Sequence, residues 1–196
     1  FWKADWTDSK ESDPDAPARV VSFTNTYRPV LYIQKKTQAV PEDKKEEVKK
    51  HTFVFEVKAS YQDDDGKEVQ QEFKEGDIYW LVDAARTDGG IPNKLAERRF
   101  RADGYLELHP GEIAAVFLDS SESSYTVTEH LDKSPDGENW LCEEPEKSGE
   151  ASIMGSKVEI TNTYRWKELI LLKEITHQDK EDVAEVRKDL PFTCLL

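Results

Sequence analysis

The chain has 196 residues, with 41 Asp or Glu against 27 Lys or Arg, a net charge of -14 and 37% hydrophobic residues. So acidic a surface repels nucleic acid and anionic membrane, and no apolar run approaches the ~20 residues that a membrane-spanning helix needs. Two cysteines without a CxxC pair, and four scattered histidines without HExxH spacing, offer neither a disulfide framework nor a metal site.

In chain order, the first clear segment is Val21-Ser22-Phe23-Thr24-Asn25-Thr26-Tyr27-Arg28. It returns near the end as Val158-Glu159-Ile160-Thr161-Asn162-Thr163-Tyr164-Arg165. Next, Leu31, Ile33 and Lys35 alternate with Tyr32 and Gln34, the period-2 pattern of a half-buried strand. Residues 41–50 are polar all round and read as a solvated loop or frayed turn. Phe53, Phe55 and Val57 mark a second strand, and Asp63-Asp64-Asp65-Gly66 a hairpin turn. Residues 78–82 are strand-like, whereas residues 86–101 form the longest stretch without alternation. Asp103-Gly104 and Pro110-Gly111 are turn signals, and an apolar run follows Gly111-Glu112. Tyr125, Val127 and Glu129 alternate with Thr126 and Thr128, and residues 140–142 are strand-like around Trp140. Residues 143–150 read as a solvated loop, and Val158, Ile160 and Asn162 close the series. Short strands with frequent turns predict an all-β Greek-key sandwich.

The repeat extends beyond one octapeptide. Leu31-Tyr32-Ile33-Gln34-Lys35 corresponds to Leu169-Ile170-Leu171-Leu172-Lys173, and the segment opening at Phe53 corresponds to the one opening at Phe192. The spacing predicts a complete domain over residues 29–165, the C-terminal remnant of a preceding repeat over 1–28, and the start of a following repeat over 166–196. On this reading the chain is a fragment of a tandem array.

Strand parity carries the chemical inference. If Leu31 and Ile33 face the core, so does Lys35; Val158 and Ile160 take Asn162 inward, and Tyr125 and Val127 take Glu129. The incomplete copies place Asn25 and Lys173 in the same positions. Lys and Glu are almost never fully buried without partners. Removing charged groups from water favours their neutral forms, a nucleophilic amine on Lys and a carboxylic acid on Glu. Such an amine can attack the Asn carboxamide carbon and expel ammonia, with Glu hydrogen-bonding the amide carbonyl and moving protons in both steps. Lys36 adjoins Lys35, so a slip of one residue would exchange the two lysines.

These motifs, Leu31-x-Ile33-x-Lys35, Phe53-x-Phe55-x-Val57, Gly111-Glu112, Tyr125-x-Val127-x-Glu129 and Val158-x-Ile160-Thr161-Asn162-Thr163-Tyr164, stand in one order over residues 29–165. Together they resemble the isopeptide-forming, Cna-B-like domains of Gram-positive surface proteins, and more narrowly the isopeptide domains of streptococcal-type pilins. The resemblance implies a reverse-Ig sandwich, Lys35 as amine donor, Asn162 as acyl donor and Glu129 as catalytic carboxyl. It also implies a stalk, pilus or adhesin, cell-wall anchored or secreted, whose partners are neighbouring repeats. No Tyr-Pro-Lys linkage motif occurs, and Leu190-Pro191-Phe192-Thr193 is followed by Cys194 where a sortase signal needs Gly.

The reading is of a structural module that modifies itself once, not an enzyme, with no cofactor and no metal. Two alternatives share the fold: an adhesin domain contacting host extracellular-matrix protein or glycan, for example through residues 86–101, and an accessory module of a secreted glycosidase. Trp80 and Trp140 could serve as a glycan platform, Glu112 with Glu129 as a glycosidase pair, and Asp63–Asp65 as calcium ligands. Core packing for the tryptophans, a solvated turn for the aspartates and an exposed imidazole for His130 are the simpler expectations. Cys142 and Cys194 fall in different repeat copies, and neither is expected to be catalytic.

Overall fold

The computed structural model describes residues 2–8 and 21–165, with side chains from residue 28 onward. The described residues all fall in one compact unit, within Phe1–Trp166. Lys173, Cys194 and the expected following repeat lie outside the described residues. At the N-terminus, β1 (Trp2–Asp8) pairs antiparallel with β2 (Val21–Tyr27), which places Asn25 opposite Ala4.

Two sheets make up the sandwich. In chain order the strands are β3 (Val30–Gln38), β4 (Phe53–Gln62), β5 (Glu68–Gln71), β6 (Ile78–Val82), β7 (Lys94–Arg99), β8 (Leu106–Leu108), β9 (Ile113–Phe117), β10 (Ser124–Glu129), β11 (Trp140–Cys142), β12 (Glu146–Glu150) and β13 (Ser156–Tyr164). One sheet runs β11-β13-β3-β9-β6-β7; the other runs β12-β10-β4-β5, with β8 also paired to β4. The expected all-β sandwich is the architecture found.

The core lies between the sheets and follows the alternation of the sequence. Leu31 and Ile33 of β3, Phe53, Phe55 and Val57 of β4, Val127 of β10 and Val158 and Ile160 of β13 all belong to it. A second apolar layer covers the opposite face of the six-stranded sheet: Val30, Tyr32, Val82, Ile113, Ala115 and Phe117, with Trp80 packed against them. This second layer explains why Ile113-Ala114-Ala115-Val116-Phe117 is apolar without alternation, since both faces of β9 are covered. It also explains why Tyr32, an outward position by parity, is buried.

One stretch keeps the expected turn, and two depart from the expected pattern. Residues 41–50 contain a 3-10 turn at Glu42–Lys44 and one α-helical turn, α1 (Lys45–Val48), which buries Val48. Within the expected loop 143–150, β12 pairs antiparallel with β10 from Ser124↔Glu150 to Thr128↔Glu146. Within residues 86–101, β7 pairs with β6 as the outermost strand of its sheet. Strands β7 and β12 are edge strands that present mostly exposed residues. They have no buried face to encode, so their sequences carry charge rather than apolar alternation.

Topology brings the two ends of the domain together. The first and last strands of the sandwich, β3 and β13, are central neighbours and run parallel, in register from Ser156↔Leu31 to Thr163↔Gln38. Lys35 lies opposite Ile160, so Asn162 falls two residues further along the same face. Strand β10 crosses the core in the facing sheet, with Glu129 opposite Phe55 of β4.

Candidate functional site

Lys35, Glu129 and Asn162 meet in the core. Lys35 and Asn162 are 0% exposed and Glu129 is 4% exposed. Nζ of Lys35 stands 2.7 Å from Oε1 of Glu129, and both side chains are fully buried. Asn162 donates a hydrogen bond from Nδ2 to the same Oε1 at 2.9 Å. One sheet thus supplies the amine and the carboxamide, and the facing sheet supplies the carboxyl between them. Lys36 points to the other face, where its exposed amine pairs with Glu159 at 2.8 Å. Parity in β3 therefore places Lys35, not Lys36, in the core.

Local structure fixes each member. The amide of Lys35 donates to the Glu112 carbonyl, and the Lys35 carbonyl accepts from the Gly111 amide. These bonds continue the β3–β9 ladder to the end of the strand. The Glu129 amide donates to the Pro145 carbonyl at 2.7 Å, and the His130 amide to the Val54 carbonyl. Asn162 is held from both sides, by β3 and by β11, where it lies opposite Cys142.

The surroundings are aromatic. Nζ of Lys35 lies 4.1 Å above the Phe53 ring and 5.8 Å from that of Phe55. Trp140 packs edge-on against Phe53 and Tyr164, and His51 packs on Phe53. Ring faces stabilise a cation only partly, and they exclude water. Burial accordingly pushes the Lys35 amine below the ordinary lysine value, against the opposing pull of the Glu129 carboxyl. Burial, and then the neighbouring Glu129, push the Cys142 thiol up to about 12.

Polar atoms here are incompletely bonded. Oε2 of Glu129 and Oδ1 of Asn162 have no hydrogen-bond partner, and Nζ of Lys35 has only its ion pair. Leaving buried polar groups in this state costs roughly 1–3 kcal/mol each. Such a cluster is a poor way to stabilise a core and a good way to hold reacting groups together. The contact with Glu129 also differs from the expected one. The amide nitrogen, not the carbonyl, faces the carboxyl, because two acceptor oxygens do not pair. A single oxygen, Oε1, consequently touches both the Lys35 amine and the Asn162 amide nitrogen.

The other candidates separate from this cluster. Glu112 is held by Arg98 through two bonds of 2.7 and 2.8 Å and accepts the His109 amide, so it faces Arg98 rather than Glu129. Asp63 spends its carboxylate on the turn amides of Asp65 and Lys67, and no metal-binding cluster occurs among the described residues. Trp140 is buried, while Trp80 is half-buried against Phe117 under the Lys94 amine. Neither forms an open platform. His130 is half-buried beside Glu56 and Tyr105 rather than exposed. Parity did not single out Cys142, and neither Phe53 nor Trp140 was expected to line this cluster.

No protein-family model matches the chain, and no curated protein matches it. Solved structures do. The major pilin of Streptococcus pyogenes aligns at 15% identity and a TM-score of 0.41, over 75% of this chain and 52% of the pilin. A Mobiluncus mulieris adhesin containing intramolecular disulfide, isopeptide and ester bond cross-links aligns at 11% identity and a TM-score of 0.37, over 79% of this chain and 46% of the adhesin. A pilus-presented adhesin aligns at 14% identity and a TM-score of 0.37, over 70% of this chain and 27% of its own. The chain thus spans about a quarter to a half of these proteins, and the functional reading below rests on the geometry of its own side chains.

Proposed function

We propose that residues 29–165 form a load-bearing module of a cell-surface stalk, pilus or adhesin, locked by an amide that Lys35 and Asn162 form without an external enzyme. The observation that carries this reading is the shared oxygen: Oε1 of Glu129 within 2.7 Å of the Lys35 amine and 2.9 Å of the Asn162 amide nitrogen.

The chemistry balances with Glu129 as the proton carrier. Within the buried pair the Lys35 ammonium passes a proton to Glu129, leaving a neutral amine beside a carboxylic acid. Nζ attacks Cγ of Asn162 and a C–N bond forms. The Nζ proton then released and the one held by Glu129 are exchanged through Oε1, and one proton reaches Nδ2. The Cγ–Nδ2 bond breaks, ammonia leaves, and the proton first taken from the Lys35 ammonium departs with it as ammonium, which returns Glu129 to its carboxylate. Holding amine and carboxamide together in a dry site supplies the rate, since effective molarities of oriented groups reach about 10⁵ M or more.

Topology gives the bond a mechanical purpose. Parallel strands pulled from opposite ends load their hydrogen bonds in shear. The chain enters β3 at its N-terminal end and leaves β13 at its C-terminal end. An amide from position 35 to position 162 would carry that load directly, so residues 36–161 would bear none. Residues 1–28, with Asn25, and 166–196, with Lys173, are the flanking repeats in this scheme, each needing partners from its own module. The acidic surface, at net charge -14, would keep neighbouring stalks apart.

Single-molecule stretching from the chain ends tests the function. The wild-type domain should show no unfolding extension from residues 36–161 at any force below covalent rupture, while Glu129→Ala should release their full contour length. A wild-type domain that extends like the variant would refute the load-bearing lock.

A further inference from the structure

Cys142 is a further polar side chain beside the cluster. Strand β11 is three residues long, and its pairing with β13 sets Cys142 directly opposite Asn162. Residues so placed share a face, with Cβ atoms about 4.5–5.5 Å apart. Asn162 faces the core, so Cys142 does too, and it packs against the central apolar cluster. It is a free thiol, and burial, then the nearby Glu129, favour its protonated form. Glu129 is fully buried, and its Oε2 has no hydrogen bond while Oε1 serves both nitrogens.

We infer that Cys142 is a positioning residue for the cross-linking reaction: its S–H donates to the Glu129 carboxyl and keeps Oε1 turned toward Lys35 and Asn162. The inference rests on the proposed function. A carboxyl free to rotate about its last bond would offer the nitrogens either oxygen at varying distances, and misplacement on that scale is costly to a proton shuttle. A thiol does this better than a more acidic group would, since a thiolate beside Glu129 would repel the carboxylate. It also costs less to bury than a hydroxyl or amide, because sulfur tolerates apolar surroundings. The groups facing Glu129 are then Lys35 from β3, Asn162 from β13, Cys142 from β11 and the Phe55 ring from β4.

The test follows cross-linking in time. Wild type, Cys142→Ser, Cys142→Val and Glu129→Ala are made by cell-free synthesis, quenched at intervals into denaturant and weighed intact. Protease resistance at each interval gives the folded fraction, so that rates refer to folded protein. Cys142→Val should slow ammonia loss by about tenfold or more, the effect of one lost hydrogen bond to a charged group. Cys142→Ser should recover most of the rate, and the pH dependence of the rate should shift in Cys142→Val but not in Cys142→Ser. Wild-type rates in folded Cys142→Val, or equal slowing in Ser and Val, would overturn the positioning role. Should Cys142→Val fail to fold, Cys142→Ser decides alone, with a rate below one-tenth of wild type counting against the inference. A wild type that never loses ammonia would instead refute the proposed function itself.

Discussion

Asn162→Ala should lower the melting temperature of the domain by about 15 °C, and Glu129→Ala should lower it further. An amide between positions 35 and 162 closes nearly the whole domain into one loop. On the chain-entropy account that closure is worth roughly 5 kcal/mol, because it restricts the unfolded chain. For a domain of this size each kcal/mol moves the midpoint by about 3 °C. Asn162→Ala removes the acyl donor and leaves Lys35 paired with Glu129. Glu129→Ala removes the proton shuttle as well as the partner. It therefore loses the cross-link and strands the Lys35 charge among Phe53, Phe55 and Trp140, a further cost of about 3–5 kcal/mol. Thermal unfolding by circular dichroism should rank wild type above Asn162→Ala, and Asn162→Ala above Glu129→Ala. Equal midpoints for wild type and Asn162→Ala would contradict the account.

The second large effect concerns alkaline pH. Burial depresses the Lys35 amine in the folded, uncross-linked state. Between that lowered value and the ordinary 10.5, the unfolded chain binds more protons than the folded one. Stability therefore rises with pH through this window, by about 1.4 kcal/mol for each unit of depression, and the penalty of burial is greatest below it. Asn162→Ala retains the free amine and should show this slope. Wild type should not, because its Nζ would be an amide nitrogen that no longer titrates. The Cys142 thiol, pushed up to about 12, opposes the trend in both proteins: its contribution is lost as pH rises above 9.0. Subtracting wild type from Asn162→Ala cancels the part of that effect due to burial, its largest cause, which both proteins share. Denaturant titrations from pH 7 to 10.5 measure the difference, and parallel curves would show that the wild-type amine is still free.

The three buried polar residues were legible because polar side chains at apolar positions break a pattern that the rest of the strand establishes. Leu31 and Ile33 define an inward face, and Lys35 stands on it; Val158, Ile160 and Asn162 repeat the arrangement. Which residues meet was less legible, since parity gives a face and not a neighbour. That Glu129 reaches across from the facing sheet depends on the pairing of β10 with β4, which no local pattern in β10 encodes. Cys142, noted in the sequence only as a cysteine not expected to be catalytic, was not placed beside the others for the same reason: a three-residue strand is too short to show alternation, and its place opposite Asn162 exists only once β11 has paired. Strands β7 and β12 read as loops because edge strands owe their conformation to a neighbour's ladder rather than to a buried face. The orientation of the Asn162 amide, nitrogen toward Glu129, follows from the carboxyl's need for donors and was not to be found in the spacing.

Intact mass of the purified wild-type protein beside Glu129→Ala tests the central claim most directly. Wild type should be lighter than its sequence by one ammonia molecule, Glu129→Ala should have its full mass, and peptide mapping should recover a branched peptide joining Lys35 to Asn162. A folded wild type with its full sequence mass would contradict the cross-link, leaving the β-sandwich with three ordinary, if poorly bonded, polar residues in its core.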